Sequence, residues 1–367
     1  MAYRVMDLFA GVGGLSYGFD SMDEYEILVA NEHDADIAAA YSLNHPDVEM
    51  INCDIRDLTE ERISEALDGR AVDLIVGGPP CQSYSTAGKR QMDGRASLFM
   101  EYRRILQIVK PTAFVFENVT GILSMDGKRL FAQVQDEFRC LGYEVRHQVL
   151  DAADYGVPQH RRRVILVGFR GANPFEFPDP THGEGRAHPH VTVGDALGDL
   201  PPIKSGESAS HYDKEPDNEF LHFVRRDAGD VVTEHSAPNN GARLVRIMET
   251  LKDGQDKFDL PEEIRPKGGF RNTYAKLWWD RPSVTVTRNF STPSSARCIH
   301  PRDSRALSIR EGARLQSFPD SYEFCGSASK KRLEIGNAVP PLLSCAIARR
   351  MREALDACAA ESQEQRA

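Results

Sequence analysis

Apolar and polar positions fall into two textures along this chain. Over the first 170 residues, short apolar runs recur at 4–9, 26–31, 72–77, 112–117, 143–150 and 163–169, and each reads as a strand. Between them, apolar positions at helical spacing predict helices near 14–22, 34–44, 59–67, 97–109 and 128–140. Strands alternating with helices predict an α/β fold of Rossmann-like type, a parallel-rich sheet with helices on both faces. From about residue 176 proline, glycine and histidine take over and no period is sustained, which predicts a smaller, loop-rich module. Regular structure returns with a helix at about 308–316, where Ser308 and Glu311 have capping-box spacing. A last helix follows Pro340 and Pro341, and the polar tail ESQEQRA reads as frayed.

Length and composition narrow the class. The 367 residues suffice for one large domain or two ordinary ones, and 41% hydrophobic with 27% charged residues is a soluble balance. No apolar run approaches membrane-spanning length and the N-terminus lacks a signal-peptide core, so a cytoplasmic protein without membrane contact is expected. Seven cysteines are scattered with no C-x-x-C pair, which argues against a disulfide framework or a thiolate zinc site. Six of the eleven histidines fall within 176–280, but without cysteine or zinc-like spacing, so no metal is expected. The net charge of −10 does not exclude a nucleic-acid partner when charge is segregated. Residues 281–332 hold ten basic side chains against four acidic ones, which reads either as a solvated face or as a phosphate-contacting surface.

The candidate chemistry begins at GGPPCQSYSTAG, residues 77–88. An apolar strand empties into two glycines and two prolines, and Cys81 then stands on a stiff turn at the carboxyl end of a strand, where open α/β sheets build their sites. The glycine turn DLFAGVGG opens the first helix, and Glu32 follows Gly11 by 21 residues, spacing that suits an acid on ribose hydroxyls. A nicotinamide site remains open at this point, but position 16 is serine where a pyrophosphate-binding pattern needs a third glycine. Glu117 ends the apolar run TAFVFEN, and Arg161 and Arg163 stand two apart in QHRRR, so on an extended segment they share a face. The loop 82–97 is polar, carries Lys89, Arg90 and Arg95, and reads either as a disordered surface loop or as one closing over a polyanion.

These blocks resemble, in order, those of the cytosine carbon-5 DNA methyltransferases: DLFAGVGGLSYGF at 7–19, PPCQ at 79–82, ENV at 117–119, QHRRR at 159–163, RLQSFPD at 314–320 and GNAVPP at 336–341. Glu334 stands where that family often has glutamine. The resemblance implies transfer of a methyl group from S-adenosyl-L-methionine, leaving S-adenosyl-L-homocysteine, to carbon 5 of a flipped-out cytosine in a specific duplex DNA sequence. Cys81 would be the nucleophile, Glu117 the acid at N3, and Gln82, Arg161 and Arg163 their supports. Phe9, Ala10, Gly11, Gly13, Gly14, Leu15, Glu32, Asp54, Ile55, Pro79, Leu98, Asn337 and Ala338 would form the cofactor pocket. Phe9 would lie on the adenine, Glu32 would hold the ribose and Asp54 the adenine amino group. Ser85, Lys89, Arg90, Arg95, Lys267, Arg271 and Arg288 would contact DNA. The catalytic and cofactor-binding domain would comprise 1–175 with 326–367, and a target-recognition domain 176–325. The same resemblance admits an RNA (tRNA) cytosine methyltransferase as the alternative substrate reading. A monomer is expected, and a cognate restriction endonuclease would suit a bacterial or phage modification enzyme.

Overall fold

The structure, a computed structural model, describes residues 2–80 and 98–364. The chain divides into two compact units: 1–151 with 162–179 and 344–367, and 152–161 with 180–343. The stretch 326–343 therefore groups with the second unit, because its helix packs on the helix that carries RLQ.

The first unit is a seven-stranded sheet, ordered β3-β2-β1-β4-β5-β7-β6. In chain order its elements are β1 (Tyr3–Leu8), α1 (Gly14–Asp20), β2 (Tyr25–Glu32), α2 (Ala35–Asn44), β3 (Glu49–Asn52), α3 (Glu60–Leu67), β4 (Leu74–Gly77), α4 (Leu98–Val109), β5 (Ala113–Val119), α5 (Arg129–Cys140), β6 (Tyr143–Asp151) and β7 (Arg162–Arg170). The first five strands in the order pair in parallel, and β7 pairs antiparallel with both β5 and β6. The centre is apolar on both faces: all four residues of β4 are buried, as a strand covered by helices requires. Tyr102 on α4 is fully buried, and its hydroxyl donates to the Val115 carbonyl at 2.9 Å. Around it Phe114, Phe116 and Phe138 pack edge-on or tilted, with ring centres 4.6 to 6.1 Å apart. Caps set the helix starts: Asp34 accepts from Asp36 N and Ile37 N, and Thr59 accepts from Arg62 N.

Strand order reverses between β1 and β4, so their carboxyl ends open a crevice at the switch point. The strand β3 lay outside the sequence reading, since EMIN is only four residues long and half polar.

The second unit holds α6 (Val193–Leu197), α7 (Glu219–Val224), α8 (Ala242–Thr250), β8 (Ala275–Lys276), β9 (Arg297–Ile299), α9 (Ile309–Leu315) and α10 (Ala328–Asn337). The capping box at Ser308 and Glu311 is formed, with both reciprocal bonds. The final helix, α11 (Pro341–Glu364), runs from this unit into the first, where Ser344 Oγ donates to the Leu15 carbonyl.

The basic stretch requires a correction. Arg297, Arg305, Arg310 and Arg314 are at most 7% exposed, so they form no phosphate-contacting surface. Arg314 is clamped between Asp199 and Asp320, and Arg305 makes a two-pronged pair with Glu311 at 2.7 and 2.8 Å. Burial pushes the Glu311 carboxyl up, and the charge and hydrogen bonds of Arg305 more than reverse this, leaving it well below the ordinary range. Only Arg281, Arg288 and Arg302 of that stretch are fully exposed among the described residues, so its sequence charge overstated the cations available to a ligand.

Candidate active site

The carboxyl ends of β1, β2, β4 and β5, with the turn after β3, deliver the predicted residues of the first unit to one edge of the sheet. Leaving β1, Phe9 takes φ 56°, a left-handed conformation uncommon for a bulky residue, and Gly11 takes φ 57°. A Cβ added at Gly11 would meet nothing within 4 Å, so the turn presents bare backbone. Glu32 at the end of β2 fastens this turn: one oxygen accepts from Gly11 N at 3.1 Å, the other from His33 N and Asp34 N at 2.9 Å.

On the neighbouring strand, Asp54 follows β3 and starts a 3-10 turn over Ile55–Asp57. Arg56 grips its carboxylate with Nε and Nη2 at 2.9 and 2.6 Å. Those bonds hold the Asp54 carboxyl down at about 2. Arg104 on α4 donates to the Ile55 carbonyl at 2.9 Å, tying that turn to the helix that begins with Leu98. Phe9 and Leu98 are partly buried against the sheet core, and Ile55 lies within it. An apolar slot bordered by carboxylates suits a nucleoside with a cationic tail, whereas a pyrophosphate would face repulsion. S-adenosylmethionine fits this residue set.

The acid motif and the proline turn are joined by hydrogen bonding. Asn118 donates from Nδ2 to the Pro79 carbonyl at 3.0 Å. Glu117 is buried, and its Oε1 lies 2.8 Å from Arg163 Nε on the adjacent strand β7. Gly78 is required here, because a Cβ would stand 2.8 Å from Glu117 Oε2. A buried carboxyl paired to one guanidinium can hold or share a proton at a fixed point beside the proline turn.

The two arginines of QHRRR do not share a face, which corrects the expectation drawn from their spacing. Strand β7 begins only at Arg162, and Arg161 belongs to the second unit. There it is buried and donates to the carbonyls of Val286 and Gly336, at 3.0 and 3.1 Å. Gln159 behaves similarly, bonding Leu315 O and Gln316 Oε1, so QHR and RLQ lock together inside that unit. Arg163 alone reaches Glu117.

Cys81, Gln82, Ser85, Lys89, Arg90 and Arg95 lie outside the described residues. Asn337 and Ala338, at the end of α10, belong to the second unit, as do Lys267, Arg271 and Arg288, all three exposed. Lys267 and Arg271 flank Phe270, which is 87% exposed on a turn pinned by Lys257 to the Gly268 and Gly269 carbonyls. Sequence reasoning missed Asn118 as the tie to Pro79 and Arg104 as the tie to the Asp54 turn. The first was visible inside ENV; the second had no local signal.

The family model described as C-5 cytosine-specific DNA methylase matches residues 3–353. The chain belongs to that family. Among curated relatives of this methylase family, the Type II methyltransferase M1.HphI of Haemophilus parahaemolyticus is 35% identical over 95% of this chain and 86% of its own length. The Type II methyltransferase M.DdeI of Desulfomicrobium norvegicum is 37% identical, covering 95% of this chain and 88% of its own. A crystal structure of an E. coli prophage-encoded protein described as a DNA modification methyltransferase superposes with a TM-score of 0.79 over 97% of this chain and all of its own, at 24% identity. That likeness carries the fold.

Proposed function

We propose that this methylase-family protein methylates carbon 5 of a cytosine within a short duplex DNA sequence, with S-adenosylmethionine as donor. The observation that carries the reading is the buried Glu117–Arg163 pair fastened beside the PPC turn, at the same sheet edge as the glycine turn. S-adenosylmethionine supplies an electrophilic methyl group when bound. The protein's own residues prepare the base. Cys81, on the turn after Pro80, adds to carbon 6 and makes carbon 5 electron-rich. Glu117, steadied by Arg163, places a proton at N3 as negative charge develops there. After transfer, loss of the carbon-5 proton lets the thiolate depart. Reaching this geometry requires rotating the cytosine out of the stack, at a cost of a few kcal/mol.

Phe9, Glu32, Asp54, Ile55 and Leu98 would hold the adenosine of the donor, with the Gly11 turn beneath its amino-acid end. Ala10, Gly13, Gly14, Leu15, Pro79, Asn337 and Ala338 would complete the pocket. Lys267, Arg271 and Arg288 are exposed cations in the second unit, which we read as the target-recognition domain, with Ser85, Lys89, Arg90 and Arg95 as further DNA contacts. The Type II names of the relatives support a modification role beside a partner nuclease, with the protein acting as a monomer in the cytoplasm. No helix among the described residues is long and apolar enough to cross a membrane.

The test is a duplex carrying 5-fluorocytosine at the target position. Fluorine cannot leave as a proton does, so the account expects a stable protein–DNA adduct through Cys81 in the presence of donor. Cys81→Ser should keep cofactor binding and lose the adduct. An adduct that persists in Cys81→Ser would contradict the assigned nucleophile.

A further inference from the structure

One acid beside the glycine turn has no part in the chemistry above. Asp7, near the end of β1 and four residues before Gly11, is completely buried. Its Oδ2 accepts a hydrogen bond from Ser16 Oγ on α1, and Ser16 Oγ lies 2.8 Å from Tyr41 OH on α2. Ser16 and Tyr41 are also fully buried. Oδ1 of Asp7 meets no hydrogen-bond partner among the described residues. A carboxyl with an unused buried oxygen is costly, and a Ser–Tyr pair alone would join the two helices without it. Ser16 is also the position at which the sequence departs from the dinucleotide-binding pattern.

The titratable groups that face Asp7 from neighbouring elements are Glu32 on β2 and Tyr102 on α4. Neither brings a positive charge. Burial pushes the Asp7 carboxyl up to about 7, the Ser16 bond working against this and the Glu32 charge adding to it. Asp7 therefore holds a proton near neutrality that a positive charge brought close would expel. The two anionic oxygens of Glu32, by contrast, are already committed to backbone N–H groups.

We propose that Asp7 makes the cofactor site selective for the sulfonium donor over its demethylated product. The inference rests on the cofactor reading above. S-adenosylmethionine carries one more positive charge than S-adenosylhomocysteine. Binding the donor sends the Asp7 proton to solvent, and the carboxylate left behind attracts the added charge through a low-dielectric interior. The product lacks that charge, leaves Asp7 protonated and departs more readily.

Titration calorimetry of the full chain with each of the two ligands tests this. The donor-to-product affinity ratio should rise by about tenfold or more between about pH 6 and about pH 8, within the usual range of linkage. Calorimetry in buffers of different ionisation enthalpy should show more proton release for the donor than for the product. Asp7→Asn should flatten the enzyme's contribution to both, leaving only the ligands' own ionisations. Ser16→Ala removes the bond that holds the Asp7 carboxyl down, so it should move the midpoint to higher pH. That variant keeps the test open if Asp7→Asn does not fold. The same pH dependence in wild type and Asp7→Asn, or an unmoved midpoint in Ser16→Ala, would overturn the proposal. Failure of wild type to bind either ligand would instead defeat the cofactor reading on which it stands.

Discussion

At the scale of single residues, the candidate site is built from short ties whose partners come from different strands. Glu117 depends on Arg163, Pro79 on Asn118, and the Gly11 turn on Glu32. Each tie crosses from one strand of the sheet to another, so the geometry is a property of the sheet and not of any one motif. Removing the ionisable proton of Glu117 should then be severe and specific. Glu117→Gln is expected to lower single-turnover methylation by about 10²-fold or more, the range for a positioned acid, with S-adenosylhomocysteine affinity unchanged. An equal loss of product affinity would show that the carboxyl supports the pocket and not the reaction. The motif residues themselves were readable in the sequence because each interrupts a pattern. Asp7 and Glu117 are acids inside apolar runs, and PPC stiffens a strand exit. What could not be read was partnership: spacing put Arg161 beside Arg163, whereas the strand begins between them.

At the scale of elements, the alternation of apolar runs and helical stripes recovered six of the seven strands of the main sheet, and its helices to within about two residues, the usual ambiguity at helix ends. The elements that escaped were those without a period. β3 is four residues, and ASKKRLEIGN of α10 shows no clean apolar stripe because its packing uses backbone proximity. Gly336, in the last turn of α10, makes this explicit. A Cβ there would collide with the backbone of Thr287 and Arg288, which has no rotamer to yield. Its carbonyl also receives Arg161. Gly336→Ala is therefore expected to destabilise by about 1–3 kcal/mol or more, as overpacking does, read as a fall in the denaturant midpoint. A midpoint unchanged from wild type would mean that this packing is looser than described.

At the scale of the whole molecule, charge is sorted by burial more than by sequence position. The net charge of −10 coexists with a second unit whose interior holds Arg305, Arg310 and Arg314 against Asp199, Glu311 and Asp320. Composition read that stretch as a basic surface, because a sequence shows how many cations there are but not which acids will meet them. Burial acts upward on the Asp320 carboxyl and Arg314 outweighs it, so Asp320, like Glu311, sits below its ordinary value. A depressed carboxylate contributes stability that is complete above its unfolded pKa, near 4, and lost as pH falls further. The second unit should thus lose stability progressively below about pH 4. Arg314→Met should cost about 3–5 kcal/mol at neutral pH, since it strands two buried carboxylates, and it should weaken that acid dependence. Equilibrium unfolding across pH reads both effects, and an Arg314→Met variant as stable as wild type at neutrality would contradict the network.

The central claim is that this family member modifies cytosine in duplex DNA. Its most direct test incubates the purified full chain with labelled S-adenosylmethionine and, separately, duplex DNA of mixed sequence and tRNA, followed by bisulfite sequencing. The account predicts protected cytosines confined to one short sequence context in the duplex, with label in DNA alone. Label confined to tRNA, or none in either nucleic acid from a chain that binds the donor, would contradict it.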